Sequence, residues 1–331
     1  MTAPFDKRKT DYILVPLSVV PMLVQYLIGG IGAIALVANW VAAGLFSWII
    51  WNIIEVNRLG IYNRNHAVSI SWPILSMVMN FAMINLREME TLPDRGIWLN
   101  IDIAQWINLI QMFGGLLIMV TVMQTWQNKL ATLYFLFCGI VIGVLSAISN
   151  NVILWLLLFP GILYQMRSWS LQNWGSLISG VILSIWLCYV GQMLLLGVDT
   201  ADAFILSYVK FYDTLLPGIF DYTLWEYIFM AFVALLLIIY SIAGIASSVA
   251  KSVKANAIVI MLAILSFLIT LISVIDLSDL PNYIGMLAIL LSIQITIHQS
   301  CVNDIRNEWW TISIIIIFAI LSIVAQLLPL Y

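Results

Sequence analysis

Charge is the scarcest thing in this sequence. Lys, Arg, Asp and Glu together make up 9% of the 331 residues, against about a quarter in an ordinary soluble domain. So few charges cannot cover a soluble fold of this size. A net charge of −3 supplies no clustered basic face, so no nucleic-acid partner is expected. Histidine is nearly missing, with only His66 and His298. No cluster of Cys, Asp or Glu stands beside them at ligand spacing, which argues against a metal site. Cysteine is almost as rare. Cys138, Cys188 and Cys301 lie far apart and form no CxxC pair, so neither a disulfide framework nor a zinc motif is expected. The glycines make no phosphate loop: Gly29-Gly30-Ile31-Gly32 sits between two apolar runs and reads as a turn or close contact. No Ser-His-Asp arrangement is arguable, and no cofactor is expected.

Apolar residues fill the space that charge leaves. They account for 63% of the chain, and the excess must face lipid. Crossing a bilayer core about 30 Å thick takes roughly 20 residues of helix. On that ruler the chain reads as an all-α, polytopic transmembrane bundle of about eleven spans, forming one integral membrane domain over 1–331. The spans fall near 12–29, 33–55, 67–86, 97–125, 131–148, 152–166, 175–197, 224–249, 255–275, 281–299 and 309–329. The first two form a helical hairpin that is too long and too continuous for a cleaved signal peptide. The segment around Trp98, Asn100, Asp102 and Trp106 reads as an interfacial entry into its span. Asn150-Asn151 breaks the middle of the chain. Residues 198–222 form the longest loop. Gly139 and Gly143 lie four apart on one helix face, a spacing that lets helices approach closely.

Orientation follows from where the few cations fall. With the N-terminus inside, the inner side collects Lys7, Arg8, Lys9, Arg58, Arg64, Lys129, Arg167, Lys251, Lys254 and Arg306. Only Arg87, Arg95 and Lys210 of the 13 basic residues fall outside, and the chain ends outside at Tyr331. Shifting the alternation by one span would scramble this sorting. Trp169, Trp174, Trp309 and Trp310 on the inner side, and Tyr208, Tyr212, Tyr222, Trp225 and Tyr227 on the outer side, read as interfacial anchors.

Ionisable groups inside a membrane are functional candidates by default, and the spans hold almost none. Gln25, Gln105, Gln111, Gln192 and Gln294 read as interhelical hydrogen-bonding groups. The one suggestive grouping is an acidic outer face: Glu88, Glu90, Asp94 and Asp102 in one segment, and Asp199, Asp202, Asp213 and Asp221 in another. Carboxylates gathered there could act as a general base, with Asp102, Glu88, Glu90 or Asp94 as the catalytic group. Arg87 and Arg95 beside them could bind a substrate phosphate. The competing reading is a solvated negative rim.

From Leu116 to Tyr189 the chain runs through Gln124-Thr125-Trp126-Gln127-Asn128-Lys129, then Cys138-Gly139-Ile140-Val141-Ile142-Gly143-Val144-Leu145-Ser146-Ala147. Trp155-Leu156-Leu157-Leu158-Phe159-Pro160 and Arg167-Ser168-Trp169-Ser170-Leu171-Gln172-Asn173-Trp174 follow. This stretch, with the Asn57–Asn65 loop, resembles a family of uncharacterised multi-pass inner-membrane proteins of Bacteroidetes. The resemblance implies a bacterial cytoplasmic (inner) membrane location and carries no assigned activity. More distantly, the same stretch is similar to C-type membrane glycosyltransferases, which work on polyprenyl-linked sugars at the outer face. Those enzymes place an acidic catalytic residue in the first outer loop. Here that loop is the Gly29–Gly32 turn, without a carboxylate.

Three functions are compatible with these features. The first is a non-enzymatic accessory or scaffold component of an envelope process, with a membrane protein partner. The second is an outer-face enzyme acting on a lipid-linked glycan. The third is a transporter of an amphipathic molecule. All three share the lipid bilayer as a partner.

Overall fold

The computed structural model describes residues 14–28, 33–59, 64–89, 103–209, 224–248, 252–275, 280–301 and 305–327. No strand occurs among them. The helices are α1 (Val19–Ile28), α2 (Ala33–Val56), α3 (Arg64–Met89), α4 (Ile103–Met123) and α5 (Thr132–Ile148). A 3₁₀ helix (Asn150–Leu158) then runs into α6 (Phe159–Gln165). After these come α7 (Leu171–Leu196), α8 (Val198–Val209), α9 (Leu224–Ser248), α10 (Val253–Ile275), α11 (Leu280–Cys301) and α12 (Ile305–Leu327). Helix is the one local structure that satisfies every backbone N–H and C=O within its own segment, as lipid requires. The apolar windows Leu36–Val56, Leu171–Leu196, Tyr227–Ala246 and Val253–Val274 are long and apolar enough to cross a membrane.

The hub of the bundle is α11. It packs against α2, α3, α4, α9, α10 and α12. Every residue from Tyr283 to Ile297 is buried. A helix buried on all its faces belongs in the middle of a fold, and this one sits there with Ser292, Gln294 and Thr296 buried among its apolar residues. Around it, α2 and α3 pair on one side and α9 and α10 on another. The α2–α3 contact is fastened by Trp72, whose indole N–H donates to the Trp40 carbonyl at 2.9 Å. Their rings lie 4.6 Å apart. Between α4 and α11, the Met286 side chain packs over Gly115, its sulfur filling the space that a Cβ there would take.

Several sequence expectations change. Residues 198–209 are a helix, α8, where a loop was expected. Its polar Asp199, Thr200 and Asp202 disguise an inward stripe of Ala201, Phe204 and Tyr208, spaced for a helix lying on α7. The first two helices are not mainly each other's partners. Among the described residues α1 packs more broadly on α12 than on α2. The first half of the span near 152–166 is 3₁₀ helix. That pitch rises about 2.0 Å per residue, so nine residues reach about 18 Å. The seven of α6 add about 10 Å. Sixteen residues thereby cover about 28 Å, close to the hydrocarbon thickness of about 30 Å.

Candidate functional site

The residues nominated for chemistry scatter. Glu90, Asp94, Arg95 and Asp102 lie outside the described residues, as do Asp213 and Asp221. Arg87 and Glu88 fall in the last turn of α3, with their side chains outside what is described. Asp199 and Asp202 are exposed on α8. Within the described residues no three His, Cys, Asp or Glu side chains gather as a metal site would need.

The best-defined geometry around Asp199 and Asp202 is an arm made of α7 and α8. Helix α7 begins where the Ser170 hydroxyl accepts the Asn173 backbone N–H at 3.1 Å, an N-cap. It stops at Gly197, whose φ of 99° lies in the left-handed region that glycine adopts without cost. The chain then turns back as α8. One narrow stripe of α7 is buried: Asn173, Leu177, Gly180, Val181 and Ser184. That stripe presses on Gly139 and Gly143 of α5, where a Cβ at Gly139 would overlap the Leu177 carbonyl. Two tethers hold α8. The Tyr189 hydroxyl donates to Asp202 Oδ1 at 3.2 Å. The Tyr208 and Ser146 hydroxyls share a hydrogen bond of 3.0 Å. Burial raises the Tyr208 phenol above its ordinary value, so it stays neutral at physiological pH.

The rest of α7 faces outward. Only 22% of its membrane-length window is buried inside the bundle. Ile178, Ile182, Leu183, Trp186 and Leu187 form its outer surface.

Inside the bundle the glutamines divide. Gln294 of α11 joins three helices. Its amide nitrogen donates to Ser266 Oγ at 2.7 Å, and its carbonyl accepts from Ser241 at 2.9 Å. One helical turn on, the Gln299 amide donates to the Thr311 hydroxyl of α12. The Tyr240 and His298 rings meet edge to face at 5.5 Å. Gln111 of α4 behaves differently: it is buried, and neither amide atom has a partner among the described residues. The side chains of Gln25 and Gln105 lie outside the described set.

At the other end of α7, the linkers after α4 and α6 meet. The Gln127 N–H donates to the Met166 carbonyl at 2.9 Å. The Ser170 hydroxyl donates to the Lys129 carbonyl at 3.1 Å. Arg167 lies over the Trp126 ring, 5.5 Å from its centre. The sequence shows these as separate basic and aromatic loops. Nothing in it signals that they meet.

The fold and its apolar exterior define a membrane-embedded helical bundle. No protein-family model, curated protein or solved structure matches the chain.

Proposed function

We propose that this chain is a multi-pass accessory or scaffold component of the bacterial inner membrane, with eleven spans, the N-terminus inside and the C-terminus outside. The sorting of cations onto one side supports the orientation. The stretched 3₁₀–α6 segment supports counting 150–165 as a span, because its pitch makes up for its length.

The observation that carries the scaffold reading is the α7–α8 arm. It is held rigid by the glycine seam and by two polar tethers, yet it turns most of its apolar surface away from its own bundle. A surface pre-ordered in this way binds a second helix at little further entropic cost. Trp186 and the branched side chains beside it fit the aromatic and aliphatic anchors such contacts use. A photo-crosslinking residue at Ile182 or Trp186, activated in native membranes, tests this. A single protein adduct in fixed stoichiometry is the expected result. Adducts to lipid alone would overturn the scaffold reading, and a retained polyprenyl lipid would turn it toward an outer-face enzyme on a lipid-linked substrate.

A further inference from the structure

Three segments distant in sequence enclose a groove of about 440 Å³ at the end of the bundle where α4 and α6 finish and α10 begins. Trp126 comes from the first, Tyr164, Gln165 and Arg167 from the second, and Val253 and Asn256 from the third. Its size falls in the range of small-molecule sites, about 300–1,000 Å³. The segments that form it carry charge of one sign. Lys129, Arg167 and Lys254 belong to these segments, and no Asp or Glu occurs in 124–130, 164–170 or 252–260. Arg167 is exposed and has no carboxylate partner among the described residues, with Trp126 beneath its guanidinium. A planar guanidinium so placed keeps its outer N–H donors for a phosphate.

The groove also lies at the end of a helix of membrane-crossing length: Val253, which lines it, opens the apolar window Val253–Val274. Trp169 and Trp174, just beyond Arg167 in the chain, have ring centres 5.9 Å apart, and Trp169 is exposed. Such residues sit at the headgroup level of a bilayer. Further along the same seam the walls become wholly apolar, with Ile162, Met261 and Trp155, and close to about 20 Å³. Room for about one water cannot take an acyl chain. The acyl chains of an occupant must therefore stay outside the seam, on the open side of the groove, where Tyr164 is exposed.

We infer that this groove is a specific site for the headgroup of an anionic phospholipid, its phosphate on Arg167, the one basic residue among the described residues that line it. Basic pockets between membrane helices recognise lipid phosphates by this chemistry. The charge match and the interfacial depth favour a lipid over a free anion.

Native mass spectrometry of the purified chain, titrated with dioleoyl-phosphatidylglycerol or dioleoyl-phosphatidylcholine, tests the site. One phosphatidylglycerol is expected to bind more tightly than phosphatidylcholine of the same chains. Arg167→Asn is expected to weaken it about fivefold, from the usual worth of one basic side chain at an anionic headgroup. Asparagine keeps the left-handed backbone that Arg167 adopts at φ 54°. Arg58→Asn is the control: it has the same charge and a φ of 53° but does not line the groove. Equal binding of the two lipids would overturn the inference. So would an Arg58 variant that weakens binding as much as the groove variant, or displacement of the lipid by millimolar inorganic phosphate.

Discussion

Gly139 of α5 and Gly180 of α7 face each other with no room for a side chain on either. A Cβ on Gly139 would come 3.1 Å from the Gly180 Cα, and one on Gly180 would come 3.0 Å from the Gly139 Cα. Each would also overlap a backbone carbonyl of the opposite helix, Leu177 or Leu136. Backbone cannot swing aside as a side-chain tip can. Gly139→Ala is therefore expected to lower stability by about 1–3 kcal/mol, the usual cost of overpacking. Gly175→Ala and Gly191→Ala on α7 meet nothing within 4 Å. Thermal-shift measurements should show a lower midpoint for the first variant and none for the other two. Three equal midpoints would mean that the seam does not hold the arm.

Gln294 offers a test by subtraction. Gln294→Leu breaks the links to Ser241 and Ser266, each worth about 1 kcal/mol in a membrane interior. The triple variant with Ser241→Ala and Ser266→Ala removes the stranded hydroxyls as well. If the junction acts as a unit, the triple variant should be no less stable than Gln294→Leu alone. Additive losses would show that the serines act independently.

For Gln111 the sign reverses. A buried amide with no partner costs about 1–3 kcal/mol of desolvation. Gln111→Leu, close in volume, should raise the unfolding midpoint. A fall would mean that the amide is satisfied in the membrane. A rise accompanied by loss of the crosslinked partner at α7 would make Gln111 a functional residue kept at the expense of stability.

The orientation is open to labelling. After Cys138, Cys188 and Cys301 are replaced by Ser, single cysteines at Lys129 and Asp202 should react with an impermeant maleimide from opposite sides. Lys129→Cys should react only in inverted vesicles and Asp202→Cys only in intact cells. Labelling of both from one side would break the alternation between α4 and α8.

Much of the bundle was legible because lipid-facing helices are long and uniform. The expected 33–55 and 131–148 are α2 and α5 to within a residue, and Gly139 and Gly143 do meet a neighbouring helix. What was missed involves shorter or more distant relationships. After Asn150 and Asn151 the run 152–158 is so evenly apolar that periods of 3.0 and 3.6 residues cannot be told apart within seven positions. Helix α8 read as a loop because its aspartates outweighed a three-residue inward stripe. The pairing of α1 with α12 joins the two ends of the described chain, and no local pattern encodes it. The groove at Arg167 was invisible for the same reason: each contributing segment shows only an isolated cation. The outer carboxylates Glu90, Asp94 and Asp102 lie outside the described residues, and their role rests on sequence alone.

The central position of α11 bears on how the protein is made. Helices α2, α3 and α4 leave the ribosome long before residues 280–301, which they will eventually surround. Until then their inner faces have only lipid or one another to touch. Ser292, Gln294, Thr296 and Gln299 make α11 a poor solitary guest in a bilayer, so it is most secure when it enters a ring already waiting. A nascent chain stalled before Leu280 would be fully inserted and still lack its centre.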